Sequence, residues 1–120
     1  MGVATLLLAA TIAQTSLTVT VWPEGRGVGE RERWSLRCDP VGGTHPKRRE
    51  SCAQLARLGR TAFRPLPDDV VCTEIYGGPD DAVIEGTYEG RRVWARFRRR
   101  NGCEIERWNR HLPPLPAAGR

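Results

Sequence analysis

RWSLRCDPVGGTHPKRRESCAQL, residues 33–55, changes its hydrophobic period part-way along, and that change decides the fold. From Arg33 to Cys38 the chain alternates, with Trp34, Leu36 and Cys38 on one face and arginines on the other, which is the two-residue period of a strand with one face buried. Pro40 stops this strand, and VGGTHPKRRE (41–50) is a run of turn formers. From Glu50 the period lengthens: Cys52, Leu55, Ala56 and Gly59 fall on one face of a helix, with Gly59 as its C-cap. A bridge between Cys38 and Cys52 would staple the end of the strand to the start of the helix. For a loop of this size the chain-entropy estimate is about 3 kcal/mol.

Upstream, SLTVTVW (16–22) alternates Leu17, Val19 and Val21 against Thr18, Thr20 and Trp22 until Pro23 ends it. The glycine-rich segment 24–30 then joins the two strands as a hairpin loop. Downstream, residues 61–69 are irregular, and AVIEGTYEGRRVWARFRRR (82–100) folds back on itself about Tyr88, Glu89, Gly90 and Arg91. In that hairpin Val93, Ala95 and Phe97 face one way, and Trp94, Arg96 and Arg98 face the other, with arginine stems over Trp94. NGCEIERW (101–108) reads as a short C-terminal helical turn, and residues 111–120 read as a flexible proline-rich tail. Four or five antiparallel strands and one main helix make an α+β domain with the helix on one face of the sheet.

At 120 residues, 39% of them hydrophobic, the chain accommodates one domain with a modest core, for which covalent staples are worth having. Cys38, Cys52, Cys72 and Cys103 suit disulfides: no two stand at the CxxC spacing of small zinc sites, and His45 and His111 have no partner at ligand spacing. No metal or other cofactor is expected. Disulfides require an oxidising compartment, and MGVATLLLAATIAQTS supplies an apolar run and a small residue, Ala13, for cleavage, although it lacks a basic start. Residues 1–15 are thus read as a signal-peptide remnant, too short to remain across a membrane; the alternative is a terminal element of the mature fold. The protein is expected to be secreted, with no membrane partner.

The formal charge of +5 raises nucleic acid as a partner, and RRVWARFRRR (91–100) is its best carrier, with Trp94 and Phe97 as stacking rings. The competing reading is a solubilised strand face, and for an exported protein it is preferred. Catalysis lacks a constellation. Ser16, Ser35 and Ser51 stand in no nucleophile-elbow context, and Asp68/Asp69 and Asp80/Asp81 are adjacent acids at loop ends. The remaining candidate is a displayed loop in VVCTEIYGGP (70–79): a bridged Cys72 would hold the chain before Thr73, Glu74 and Ile75, and Gly77, Gly78 and Pro79 would turn it away. Such an anchored, extended segment is the shape a protease accepts as substrate.

LTVTV (17–21), LRCDPVGGTHP (36–46), SCAQL (51–55), VVCTEIYGGP, the EGRRV turn (89–93) and NGCEIERW together resemble the bacterial subtilisin-inhibitor family of small exported serine-protease inhibitors. The resemblance implies a five-stranded antiparallel sheet, disulfides Cys38–Cys52 and Cys72–Cys103, and a homodimer through the sheet. It implies that the scissile bond of a substrate-like loop is Glu74–Ile75, that Cys72, Thr73, Tyr76 and Gly77 complete the loop, and that Asn101 supports it. The partner would be a secreted serine protease.

Glu74 departs from the family, which usually offers an apolar or basic residue on the acyl side of the bond. A carboxylate entering an apolar pocket unpaired loses several kcal/mol to desolvation, and a hundredfold weakening follows from about 2.8 kcal/mol. The target is then a glutamate-specific protease, or a subtilisin-like one held by the rest of the loop, or the fold serves as a non-inhibitory binding module.

Overall fold

The computed structural model describes Gly2 and residues 14–119. The apolar leader and the cleavage position at Ala13 lie outside the described residues. Folded structure begins before the boundary at residue 16 read from sequence. The Gln14 carbonyl accepts from the Gly90 N–H at 3.0 Å, and buried Thr15 accepts through Oγ1 from the Glu89 N–H at 3.0 Å.

The alternating segments form the sheet. Strands β1 (Thr15–Trp22), β2 (Glu32–Cys38), β3 (Gly42–Gly43), β4 (Asp81–Tyr88) and β5 (Arg91–Phe97) lie in the order β3-β2-β1-β4-β5, and every adjacent pair is antiparallel. The family-like loop after Pro40 thus contributes a two-residue edge strand that sequence period alone cannot announce. Between β4 and β5 the turn falls at Glu89 and Gly90, which both adopt positive φ, as a two-residue hairpin requires.

Helix α1 (Arg48–Leu58) ends at Gly59 as expected, passes into a 3-10 turn (Gly59–Phe63), and leaves residues 64–80 irregular. Its inward face differs from the expected one. Ser51 and Leu55 are buried, Cys52 and Leu58 are half-buried, and Ala56 is exposed. The helix starts two residues before Glu50, and its inner stripe is set by the Cys52 bridge and by Ser51 lying against His45, which turn Ala56 outward.

Leu17, Val19, Val21, Leu36, Ile84, Ala95 and Phe97 meet Leu55, Trp108 and Leu115 in one core between the sheet and the helices. The expected C-terminal turn is a full nine-residue helix, α2 (Gly102–Arg110), because Trp108 needs that length to reach the core. Residues 111–119 do not form the free tail read from their prolines. Leu115 is 1% exposed, the Trp108 indole N–H donates to the Pro116 carbonyl at 2.9 Å, and His45 reaches the Pro114 carbonyl at 2.7 Å. Proline cannot extend a helix or strand, but it loses little entropy on docking and its carbonyl still accepts.

Candidate functional site

Both cysteine pairs are bonded as the resemblance implies, Cys38 to Cys52 and Cys72 to Cys103. They differ in what they hold. Cys103 lies in the first turn of α2, so its bond fixes the irregular segment 70–79 against the helix N-terminus.

Three further contacts pin that segment. On the acyl side of Glu74, the Gly102 N–H donates to the Thr73 carbonyl at 2.9 Å. On the amine side, the Gly77 N–H donates to the Arg99 carbonyl at 2.7 Å, and the Arg99 guanidinium returns a bond from Nε to the Gly77 carbonyl at 3.0 Å. A Cβ at position 77 would sit 2.6 Å from Ile105 Cγ1, so glycine allows the chain to lie against α2 here. Asp80, buried beyond Gly78 and Pro79, accepts from the Gly119 N–H at 3.5 Å and starts the return into β4.

Between those pins the chain is open to solvent. Val71 is 96% exposed, Ile75 59% and Tyr76 67%, and Thr73 and Glu74 are exposed as well. No hydrogen bond or ion pair holds the Glu74 carboxylate among the described residues. The peptide bond between Glu74 and Ile75 therefore projects from a frame fixed one residue before it and two residues after it.

Asn101, which the resemblance makes the loop support, is the N-cap residue of α2. Its Oδ1 accepts from the Glu104 N–H at 2.9 Å, the N-cap bond of α2, and its side-chain amide donates to the Glu104 carboxylate at 3.5 Å. Its side-chain bonds go to the helix and its connection to the loop runs through the helix start, where Cys103 and Gly102 do the holding. Sequence reasoning missed Gly102 and Arg99: an N-x-x-E pattern before an apolar stripe does signal a helix start at Asn101, but an arginine within RFRRR carries no mark of a buried contact.

The basic hairpin presents only one of its two rings to solvent. Phe97 is buried in the core, so only Trp94, 57% exposed, could stack on a base. The arginines expected to cover Trp94 are engaged elsewhere. Arg96 makes a two-pronged ion pair with Asp81, at 3.0 and 2.6 Å, and Arg98 lies 3.5 Å from Glu104. Arg107 packs across the Phe97 ring and donates to the carbonyls of Arg96 and Arg64 at 2.6 and 3.2 Å; burial lowers its pKa, with Arg110 adding to the effect and Glu104 opposing it.

The two histidines are structural. His45 Nδ1 accepts from the Lys47 N–H at 2.9 Å, which makes Nε2 the donor to Pro114 and fixes a neutral ring; burial lowers its pKa against smaller raising contributions from the Pro114 bond and Glu50. His111 lies between the carbonyls of Arg107 and Ala62, each at 2.7 Å. Among the described residues no group of three or more His, Cys, Asp and Glu side chains could hold a metal ion, and no helix is long and apolar enough to cross a membrane.

Comparison with known proteins bears on the same region. Residues 12–101 match the family model described as Subtilisin inhibitor-like, so the match takes in the sheet and the exposed loop. The chain is similar to Subtilisin inhibitor-like protein 1 of Streptomyces cacaoi, with 36% identity over 77 residues covering 61% of this chain and 69% of the relative. It is also similar to Protease inhibitor SIL-V5 of Streptomyces luteoverticillatus, with 33% identity over 94 residues covering 75% of this chain and 85% of the relative.

Proposed function

The chain belongs to the subtilisin inhibitor-like family, whose members inhibit proteases rather than catalyse, and from that premise we propose that it is a secreted serine-protease inhibitor acting through Glu74–Ile75. The observation that carries this reading is the exposed 74–75 bond between a disulfide-anchored acyl side and an arginine-anchored amine side. The protease serine attacks the Glu74 carbonyl carbon, and the Ile75 amine leaves as the C–N bond breaks. Because both ends stay pinned, that amine remains beside the acyl carbon. Re-formation of the peptide, with the serine oxygen recovering its proton through the protease's own base, then outpaces hydrolysis.

Specificity follows from position 74. Its carboxylate has no hydrogen-bond or ion-pair partner among the described residues, so it is available to a pocket with cationic or histidine donors, which supports a glutamate-specific target. The two disulfides and the family relationship support secretion. The sheet face opposite the core, with Trp94 exposed on it, supports the homodimer through the sheet that the family resemblance implies.

Inhibition constants of the oxidised protein against a glutamate-specific, a subtilisin-like and a trypsin-like serine protease test this reading, with Glu74→Lys and Glu74→Met in parallel. The expected outcome is tightest inhibition of the glutamate-specific enzyme by the natural sequence. Transfer by about a hundredfold to the trypsin-like enzyme is expected with lysine, and to the subtilisin-like enzyme with methionine. Inhibition that ignores residue 74 would remove Glu74–Ile75 as the reactive bond; none by any variant would leave the fold as a non-inhibitory module.

A further inference from the structure

We propose that Arg99 is a positioning residue that holds the amine side of the Glu74–Ile75 bond, a second clamp opposite the Cys72–Cys103 disulfide. The proposal rests on the inhibitory reading above for its functional consequence, but not for its geometry.

The disulfide and the Gly102–Thr73 bond restrain only the chain before Glu74. If the 74–75 bond opens, the new amine belongs to Ile75, and what keeps it in place must act on residues after it. Tyr76 is 67% exposed and offers no anchor. Gly77 is the first residue past the bond that is tied down, and both of its backbone groups go to one residue, Arg99: its N–H to the Arg99 carbonyl at 2.7 Å and its carbonyl to Arg99 Nε at 3.0 Å.

The side chain of Arg99 is itself braced. Nη1 donates to Asn109 Oδ1 at 3.1 Å, and the guanidinium lies 5.7 Å from the centre of the Trp108 ring, whose indole is buried in the core. The planar fork thus spans from the loop to the last turns of α2, with Nε used on one side and Nη1 on the other. Lysine carries the charge but not that fork, so it cannot make both bonds in the same geometry. The route from core to loop is short and direct: Trp108 and Asn109 fix Arg99, Arg99 fixes Gly77, and Gly77 lies two residues from the reactive amine.

The test uses the full oxidised protein with Arg99→Ala, Arg99→Lys and Asn109→Ala. Two readouts apply. The first is the backbone order of Ile75 and Tyr76 by nitrogen-15 relaxation in the free protein, which needs no protease. The second is the ratio of intact to 74–75-cleaved inhibitor at equilibrium with a susceptible protease, together with the inhibition constant.

Arg99→Ala is expected to lower the order parameters of Ile75 and Tyr76 while those of Cys72 and Thr73 hold. It should also move the ratio toward cleaved inhibitor, and weaken inhibition, by about tenfold to a hundredfold, the range of a lost hydrogen bond from a charged group. Asn109→Ala should give a smaller change in the same direction, and lysine should not restore the natural behaviour. Unchanged order at 75–76 and an unchanged ratio in Arg99→Ala would overturn the proposal. If Arg99→Ala does not fold, Asn109→Ala decides: altered order at 75–76 supports the clamp, and unaltered order overturns it. A natural protein that inhibits nothing, with order at 75–76 still dependent on Arg99, would overturn the inhibitory reading and leave the positioning role standing.

Discussion

The two disulfide-bounded regions of this molecule are built from the same kind of link and do opposite things. Across Cys38–Cys52 the enclosed loop, though mostly exposed, is anchored inward at two points: His45 is buried and bonds to Pro114 of the C-terminal segment, and Ser51 is buried beside it. Across Cys72–Cys103 the segment beside the link faces outward, with Val71, Glu74, Ile75 and Tyr76 in solvent and only Thr73 and Gly77 tied by backbone bonds. The first link adds to contacts that would largely exist without it. The second supplies order where burial does not, and under the proposed function the loop has to keep its side chains open to a protease.

Removing each link should break this contrast in a measurable way. Cys72→Ala with Cys103→Ala is expected to weaken inhibition by a hundredfold or more, because the acyl side of the reactive bond loses its covalent anchor and the loop is hydrolysed as a substrate. The loss in stability should be about 3–4 kcal/mol. Cys38→Ala with Cys52→Ala is expected to lose about 3 kcal/mol of stability, while inhibition measured where the protein remains folded changes by less than about threefold. Urea unfolding and inhibition constants on the two double variants check both halves. An equal loss of inhibition from both would dissolve the distinction.

A smaller effect sharpens the inward-facing half. His45 is held neutral in the folded state with a pKa below its ordinary value, so between that pKa and about 6.5 the unfolded chain binds the extra proton. Its contribution to stability is therefore fully present above about pH 6.5 and lost as pH falls below it. The groups charged near it are Lys47, which lowers the pKa further, and Glu50, which raises it. His111 is also held below its ordinary pKa, first by burial, with its two carbonyl contacts opposing and Arg107 and Arg110 adding to the lowering, so it contributes with the same sign as His45. His45→Gln should lose about 1 kcal/mol at neutral pH and flatten the decline in stability between pH 7 and pH 5. Denaturant melts at the two pH values measure this, and inhibition should be unaffected at neutral pH.

What was legible in the sequence follows the same division. Alternation marked β1, β2 and the β4–β5 hairpin; in β2 and β5 period two is the direct imprint of burying one face, while β4 is buried on both faces from Asp81 to Ile84. The displayed loop was legible from Cys72 and the glycines after it. The tail was not, since HLPPLPAAGR has the composition of a free terminus and its docking depends on carbonyls, which every sequence possesses equally. Ala56 was placed inward because a small apolar residue fits either side of a helix. The contact of Arg99 with the loop was hidden for a related reason: among RFRRR (96–100), Arg96 pairs with Asp81, Arg98 approaches Glu104, Arg99 bonds to Gly77 and Arg100 is exposed, and only tertiary structure separates them.

The most direct test of the central claim is to incubate the oxidised protein with a trace of glutamate-specific serine protease and follow the mass and fragment ends of the inhibitor with time. The account predicts one cut, between Glu74 and Ile75, with the fragments joined through Cys72–Cys103. It also predicts the same final ratio of intact to cleaved protein whether the reaction starts from intact or from purified cleaved material. Cutting at another bond, or progressive degradation with no return from the cleaved form, would contradict it.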